Sequence, residues 1–268
     1  MRTFLADGFR NVDAVADDDK IVRCLNFLDN LPDVRAYKER SIDTLRLRPD
    51  CRVADVACGL GFDLLRLHRH VPDGRVIGFD LSSDLVAAAR RLVAGNDGIE
   101  VRQADAHAID EPEGTYDAVR IDRSLQHLDD PKRVVSEMAR IARSGGYVSA
   151  SEPDWQTFRL TAGDAAGERL KAEWVAGFRN PGIGGALVDV LADNGLEIVD
   201  HFVQPLLVNQ FNDADVVFDI QENARRCVER GIVSRDQAAA TLNSLRASDA
   251  AGRFWALLSI HTVTGRKH

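Results

Sequence analysis

Short, nearly continuous apolar runs alternate along this chain with segments whose apolar residues recur every three or four positions. The first pattern reads as buried strands and the second as amphipathic helices. In alternation they predict a largely parallel α/β sheet. The opening segment, to about Leu47, is predicted helical, with Val34, Tyr37, Ile42 and Leu45 near one face and Arg48-Pro49-Asp50 ending it. Strands are predicted over Arg52–Ala57, Arg75–Phe79, Ile99–Gln103, Asp117–Ile121 and Tyr147–Ser151. Helices are predicted over Phe62–Arg69, from Ser82 (with Leu85, Val86, Ala89 and Leu92), and from Asp130-Pro131, where proline suits a first helical position.

Beyond Ser151 the spacing changes. Leu170, Trp174 and Phe178 form one stripe, predicting an inserted helix over Asp164–Phe178. Ile183, Leu187, Val190 and Leu191 form another, closed by Asn194-Gly195. A strand follows over Leu196–Val203, then a helix through Val217, Ile220, Ala224 and Cys227 ending near Gly231. Ser234-Arg235-Asp236-Gln237 has capping-box spacing for a further helix, and Phe254–Thr264 reads as the last strand. The reading is therefore a helical cap over residues 1–48 and a sheet domain over 49–268. Its helical insertions, at about 160–180 and 212–247, suit a lid over a site better than a separate domain.

With 45% hydrophobic and 28% charged residues, the composition is that of an ordinary globular protein. A formal net charge of -8, with basic residues scattered, disfavours nucleic-acid and anionic-membrane partners. Cys24, Cys51, Cys58 and Cys227 show no paired or metal-ligand spacing and read as free thiols of a reducing compartment. Met1 to Asp7 lacks a signal pattern, no apolar run approaches membrane-spanning length, and a cytoplasmic location is expected.

The chemistry concentrates in Val53-Ala54-Asp55-Val56-Ala57-Cys58-Gly59-Leu60-Gly61-Phe62, a strand entering a glycine loop and then a helix. Glycines let backbone pass close to a ligand, and the helix N-terminus offers unpaired N–H groups. About 20 residues on, a strand ends in Phe79-Asp80, where a carboxylate can accept both hydroxyls of a ribose. A dinucleotide fingerprint needs a third glycine, but Leu64 follows Phe62-Asp63, and Asp63 would face a pyrophosphate. Asp55 lies inside the first strand, where an acid is poor strand chemistry; it can orient the loop or bind a cationic amine.

Asp55-Val-Ala-Cys-Gly-Leu-Gly resembles the first motif of class I S-adenosylmethionine-dependent methyltransferases, with Ala57 in place of its first glycine. Asp80 matches the ribose-binding acid of their second motif, and Gln103-Ala104-Asp105-Ala106 resembles the third, where acid and following N–H meet adenine. Tyr116-Asp117-Ala118-Val119 with Leu125-Gln126-His127-Leu128 is similar to the fourth-strand motif, and Ser144-Gly145-Gly146-Tyr147-Val148 to the turn into the fifth. Glu152-Pro153-Asp154-Trp155 and Asn180-Pro181-Gly182-Ile183-Gly184 resemble the ubiquinone/menaquinone-type branch, which includes many natural-product methyltransferases. The resemblance implies a Rossmann-like fold with a seven-stranded, mostly parallel sheet and helical lid insertions. It also implies in-line transfer of the sulfonium methyl to a small organic acceptor, leaving S-adenosylhomocysteine, with no metal required.

The cofactor residues so implied are Asp55, Ala57, Cys58, Gly59, Gly61, Asp80, Leu81, Asp105 and Ala106, with Asp122, Arg123 and Arg40 beside them. His127 is a candidate base or acceptor-orienting group, or a packing histidine bonded to backbone. Glu152 could hold or deprotonate an acceptor, or brace a loop through backbone N–H groups. Trp155, Phe158 and Tyr37 are candidate acceptor contacts, with core packing the plain alternative. Cys58 reads as a small filler of the cofactor loop. Competing functions are a cyclase-like enzyme on the same scaffold, an NAD(P)-dependent oxidoreductase, and a nucleic-acid or protein methyltransferase. The missing third glycine counts against the oxidoreductase, the acidic balance against nucleic acid, and the lid insertions against a protein acceptor. Monomer and homodimer are equally compatible with the surface helices.

Overall fold

The computed structural model describes residues 5, 18–161 and 163–268, with backbone alone at 18 and 19. The stretch read for a signal pattern lies outside these residues, Leu5 apart, as does the start of the expected cap. Two helices, α1 (Asp18–Asn30) and α2 (Pro32–Asp43), precede an alternation of β1 (Arg52–Val56), α3 (Phe62–His70), β2 (Arg75–Asp80), α4 (Ser83–Leu92) and β3 (Ile99–Gln103). Then come β4 (Tyr116–Asp122), a 3-10 turn at Leu125–His127, α5 (Pro131–Ile141), β5 (Ala142–Leu160), α6 (Ala165–Ala176) and α7 (Ile183–Asp193). β6 (Leu196–Val208), α8 (Phe211–Phe218), α9 (Ile220–Glu229), α10 (Arg235–Ala250) and β7 (Ala256–Lys267) complete the described chain. The strands form one seven-stranded sheet in the order β3-β2-β1-β4-β5-β7-β6. β1 to β5 run parallel, and β7 lies antiparallel between β5 and β6.

The alternation within each strand sorts the core into two layers. Val53, Val76 and Ala118 pack with Leu64, Leu67 and Val86 on one face. Ala54, Val56 and Ile121 pack with Val134, Met138 and Leu187 on the other. Helix starts follow the local chemistry: Ser82 accepts from the Leu85 N–H at 3.1 Å and Asp130 from Arg133 at 3.0 Å. Ser234 and Gln237 form the expected reciprocal cap. Each such cap is worth about 1 kcal/mol.

Two expected boundaries are corrected. The fifth strand does not stop at Ser151 but runs to Leu160, because β7 pairs with it on both sides of a register break between Asp154 and Arg159. Pro153, without an N–H, sits within this strand. The helix expected through Val217 and Cys227 is two helices, broken at Asp219, whose φ of 47° is left-handed. Its carboxylate accepts the Leu5 N–H at 3.1 Å and pairs with Lys20 Nζ at 2.7 Å, tying α1 to the α8–α9 corner. A third apolar cluster lies between these helices and the extended strands, built around Ile21, Leu28, Trp155, Trp174, Phe178 and Phe218.

Candidate active site

The strand order reverses between β1 and β4, so their carboxyl ends diverge and open a crevice, the usual ligand position in such sheets. A cavity of about 460 Å³ occupies it. One half is lined by the loop after β1 (Asp55 to Phe62, Gly61 apart), the end of β2 (Phe79 to Ser82), and Ala104 to His107 after β3. The other half is lined by Cys24, Leu28, Trp155, Phe178, Val217 and Ile260, among others. Arg123 to His127, bar Leu125, border both.

The loop after β1 turns through three left-handed residues, Ala57 (φ 55°), Gly59 (φ 55°) and Gly61 (φ 83°). At Gly59 a side chain would point into open space, so the backbone there can lie against a bound molecule. At Ala57 the same conformation is strained by its Cβ. Ala57→Gly is therefore expected to stabilise the fold by about 1 kcal/mol, read from urea unfolding. Asp80 fixes the loop: Oδ2 accepts the Gly59 N–H at 2.8 Å and Oδ1 the Ser82 N–H at 3.0 Å. A carboxylate has about four acceptor positions, so it can order the loop and take hydroxyls as well. Leu81 is exposed beside it, and Ala106 lines the same half. Asp105 is turned to His107, accepting from its N–H at 2.9 Å and facing Nδ1 at 2.6 Å.

Beneath the loop lies a buried ion network. Asp55 and Arg120 are register neighbours on β1 and β4, and Arg120 Nη1 reaches Asp55 Oδ1 at 3.3 Å and Asp63 Oδ2 at 2.8 Å. Lys38 Nζ bridges Asp63 (2.5 Å) and Asp122 (2.9 Å), while Arg66 joins Asp63 at 2.8 Å to Asp29 of α1 at 2.7 Å. Against the cost of burial, Lys38 and Arg120 hold the Asp63 carboxyl well below its ordinary value. Burial instead pushes Asp55 up to about 7, with Arg120 opposing and Asp63 adding to the rise. Sequence reasoning missed Lys38, although an arginine in the middle of buried β4 demands counter-charges and so signals such a cluster.

The structure places the remaining candidates as follows. His127 lines the cavity at the end of the 3-10 turn, its ring centroid 5.7 Å from that of Phe178. Trp155 lines it too, stacked on Phe178 at 4.1 Å with its Nε1 donating to Gln126 Oε1 at 2.6 Å. Cys58 and Asp122 are lining residues, and burial raises the Cys58 thiol well above its ordinary value. Glu152 is not brought to the cavity: fully buried, it accepts the N–H groups of Ser124 (2.7 Å), Leu125 (2.6 Å) and Gln126 (3.3 Å). Burial pushes its carboxyl up to about 8 against these three donors.

Arg40 is placed away from the cofactor half, its guanidinium 3.9 Å from the Phe202 ring centre, because that face of α2 packs on β6. The Tyr37 hydroxyl donates to Asp122 at 2.9 Å, and Phe158 packs against Phe218, so both are core rather than lining. Gly184 abuts the same strand end: a Cβ there would lie 2.7 to 2.8 Å from backbone atoms of Glu152, Pro153 and Asp154. Gly184→Ala is expected to cost about 2 kcal/mol, read as a lowered thermal midpoint.

Two buried atoms on the cavity wall fit a polar ligand: Arg123 Nε–H can donate, and His107 Nε2 accepts while its Nδ1–H faces Asp105. Arg123 Nε and His107 Nε2 have no hydrogen-bond partner among the described residues. Arg123, itself left-handed at φ 56°, lies toward the acid end of β4 and His107 past β3. With Asp80 between them, the set suits a nucleoside carrying a carboxylate.

Comparison with known proteins agrees. A methyltransferase-domain profile matches residues 53–146. A 37.1 kDa protein in transposon TN4556 of Streptomyces fradiae is 32% identical over 248 residues, covering 90% of this chain and 71% of its own. The demethylmenaquinone methyltransferase of Thermus thermophilus is 32% identical over 118 residues, covering 43% of this chain and 53% of its own. Among solved structures, the (4+2)-cyclase SpnF aligns with a TM-score of 0.58 at 21% identity, over 87% of this chain and 80% of its own. A geranyl diphosphate methyltransferase in complex with S-adenosylmethionine aligns at 0.56 and 18%, over 87% and 85%. Motifs, fold and relatives thus converge: the chain carries a methyltransferase domain over residues 53–146, on the fold of the class I S-adenosylmethionine-dependent methyltransferases.

Proposed function

We propose that this chain transfers a methyl group from S-adenosylmethionine to a small, uncharged, mainly apolar acceptor, in secondary or cofactor metabolism. The observation that carries the reading is the single cavity with two unlike halves. The loop half offers Asp80, Arg123 and His107, whereas the other half is walled by Trp155, Trp174, Phe178, Leu206, Leu258 and Ile260. Arg179 on the wall is paired with Asp129, so among the described residues no unpaired cation is offered to a charged acceptor there.

The cofactor supplies a methyl group already activated by its sulfonium charge. Asp80 would hold the ribose hydroxyls, Asp105, Ala106 and His107 the adenine edge, and Arg123 the methionine carboxylate. Gly59 lets the loop approach closely, and Leu81 covers the adenosine. The apolar wall excludes water and holds the acceptor in line. His127, between the halves, would take the proton of an acidic hydroxyl or enol as the methyl is accepted. Glu152 acts on the backbone of the turn, not on the acceptor.

We propose a monomer or homodimer with the site within each chain. No described helix is long and apolar enough to cross a membrane, and four free thiols suit a cytoplasmic protein.

The test is incubation with S-adenosylmethionine and a panel of phenols, enols and quinols, followed by mass spectrometry. A product heavier by one methylene unit supports the reading. A product of unchanged mass points to the second reading, a cyclase-like enzyme that keeps the cofactor to shape its pocket, which the likeness in fold to SpnF favours.

A further inference from the structure

The segments Glu152-Pro153-Asp154-Trp155 and Asn180-Pro181-Gly182-Ile183-Gly184 are separate in the chain and, Trp155 on the acceptor wall apart, have no part in the chemistry above. In the fold they meet around one object, the 3-10 turn Leu125–His127. Glu152 takes three successive N–H groups on one side of the turn, those of Ser124, Leu125 and Gln126. Asn180 takes the carbonyls on the other: its Nδ2 donates to Leu125 O at 2.9 Å and Leu128 O at 2.7 Å. Its own N–H donates to Gln126 O at 3.1 Å. The two segments are also joined directly, since the Trp155 N–H donates to Pro181 O at 2.8 Å and Gly184 packs against the Glu152–Asp154 backbone. Gln126 closes the assembly, with Oε1 held by the Trp155 indole at 2.6 Å and Nε2 donating to Arg123 O at 2.9 Å.

So dense a set of bonds on so short a turn exceeds what a surface connection needs, because exposed turn groups are satisfied by water. What the turn carries to the cavity wall is the His127 ring, whose Nδ1 is buried and whose centroid lies 5.7 Å from that of Phe178. We propose that Glu152 and Asn180 are positioning residues that clamp this turn from its donor and acceptor sides and thereby fix the orientation and tautomer of His127. This rests on the placement of His127 beside the acceptor in the preceding proposal. It assigns Glu152 a role through the backbone in place of contact with the acceptor.

The test is nitrogen NMR of the histidine rings in the full-length protein with S-adenosylhomocysteine added, His127 being assigned by its loss in His127→Gln. The wild type is expected to show the two well-separated nitrogen shifts of a single His127 tautomer. In Asn180→Ala and Glu152→Gln the two shifts should move together toward the averaged values of a freely exchanging imidazole, the other six histidines staying unchanged. Trp155→Phe, which removes the bond to Gln126 and trims the ring packed on Phe178, should give a smaller change of the same sense and covers the case in which either clamp variant fails to fold. The affinity for S-adenosylhomocysteine, followed by calorimetry, should stay within about threefold in all of them, since Asp80 and its loop are untouched. A single His127 tautomer retained in the folded variants would overturn the proposal and leave the clamp a stability element alone. Failure of the methyl-transfer reading shows separately, as no S-adenosylhomocysteine binding by the wild type, and the ring spectra decide the clamp in either case.

Discussion

Asp80→Ala is expected to weaken S-adenosylhomocysteine binding on the order of 100- to 1,000-fold while leaving a folded protein. The carboxylate is assigned two ribose hydroxyls, and hydrogen bonds to a charged group are worth about 1.5–3 kcal/mol each. It also orders the loop through the Gly59 and Ser82 N–H groups, so its loss releases the backbone that must lie along the ligand. Calorimetric titration of both proteins checks this, with circular dichroism for the fold. Asp80→Asn, which keeps one acceptor oxygen, should fall between the two. Binding of the alanine variant within a few-fold of wild type would remove Asp80 from the cofactor site.

Asp63→Ala should be the most damaging single change to stability, costing about 3–5 kcal/mol and lowering the thermal midpoint by about 10 °C. The carboxylate is the shared partner of Lys38, Arg66 and Arg120, all buried, and its removal takes one counter-charge from three cations at once, leaving them with Asp122, Asp29 and Asp55. Its carboxyl, held well below the ordinary value, makes its contribution present above the ordinary carboxylate range and lost as pH falls through and below it. Asp55 has the opposite sign. With its carboxyl raised to about 7, the folded state holds that proton more tightly than the unfolded chain, so its contribution is full in acid and disappears as pH rises through about 7. Asp55→Asn mimics the protonated form and should flatten the loss of thermal midpoint between about pH 4 and 7. A variant that loses stability over this range as steeply as wild type would show that Asp55 is ionised throughout.

The contrast between these two acids shows what a linear reading of the chain can reach. Asp80 was legible because its meaning is local: a carboxylate ending a strand, one helix after a glycine loop. Asp63 was legible only as an obstacle to a pyrophosphate, since its partners Lys38 and Arg120 lie 25 and 57 positions away. Asp55 was recognisable as misplaced in a strand, but its partner depended on β4 lying beside β1, a fact of topology rather than of pattern. Glu152 fell in a polar, proline-bearing stretch with no alternation, so neither the continuation of β5 nor the turn beneath it could be seen. Arg40 and Tyr37 were correctly put on a helix, yet one residue of rotation decides which side chain faces the site, and Lys38 does. The seven-stranded sheet and its parallel half were legible because short apolar runs and helical stripes repeat there with little interruption.

The position of β7 bears on how the molecule is made. Among the described residues β6 has no neighbour in the sheet other than β7, which lies after it in sequence and inserts between it and β5. During synthesis β6 and the outer flank of β5 therefore leave the ribosome with their backbone hydrogen-bonding edges open, and three helices must follow before the closing strand arrives. Over that interval the nascent chain carries two open strand edges, that of β6 bearing Leu206, Leu207 and Val208, a template for pairing with other chains. Yield and solubility should consequently depend on how quickly translation delivers the final strand, so that codon choice over α8 to α10 becomes a practical variable in producing this protein.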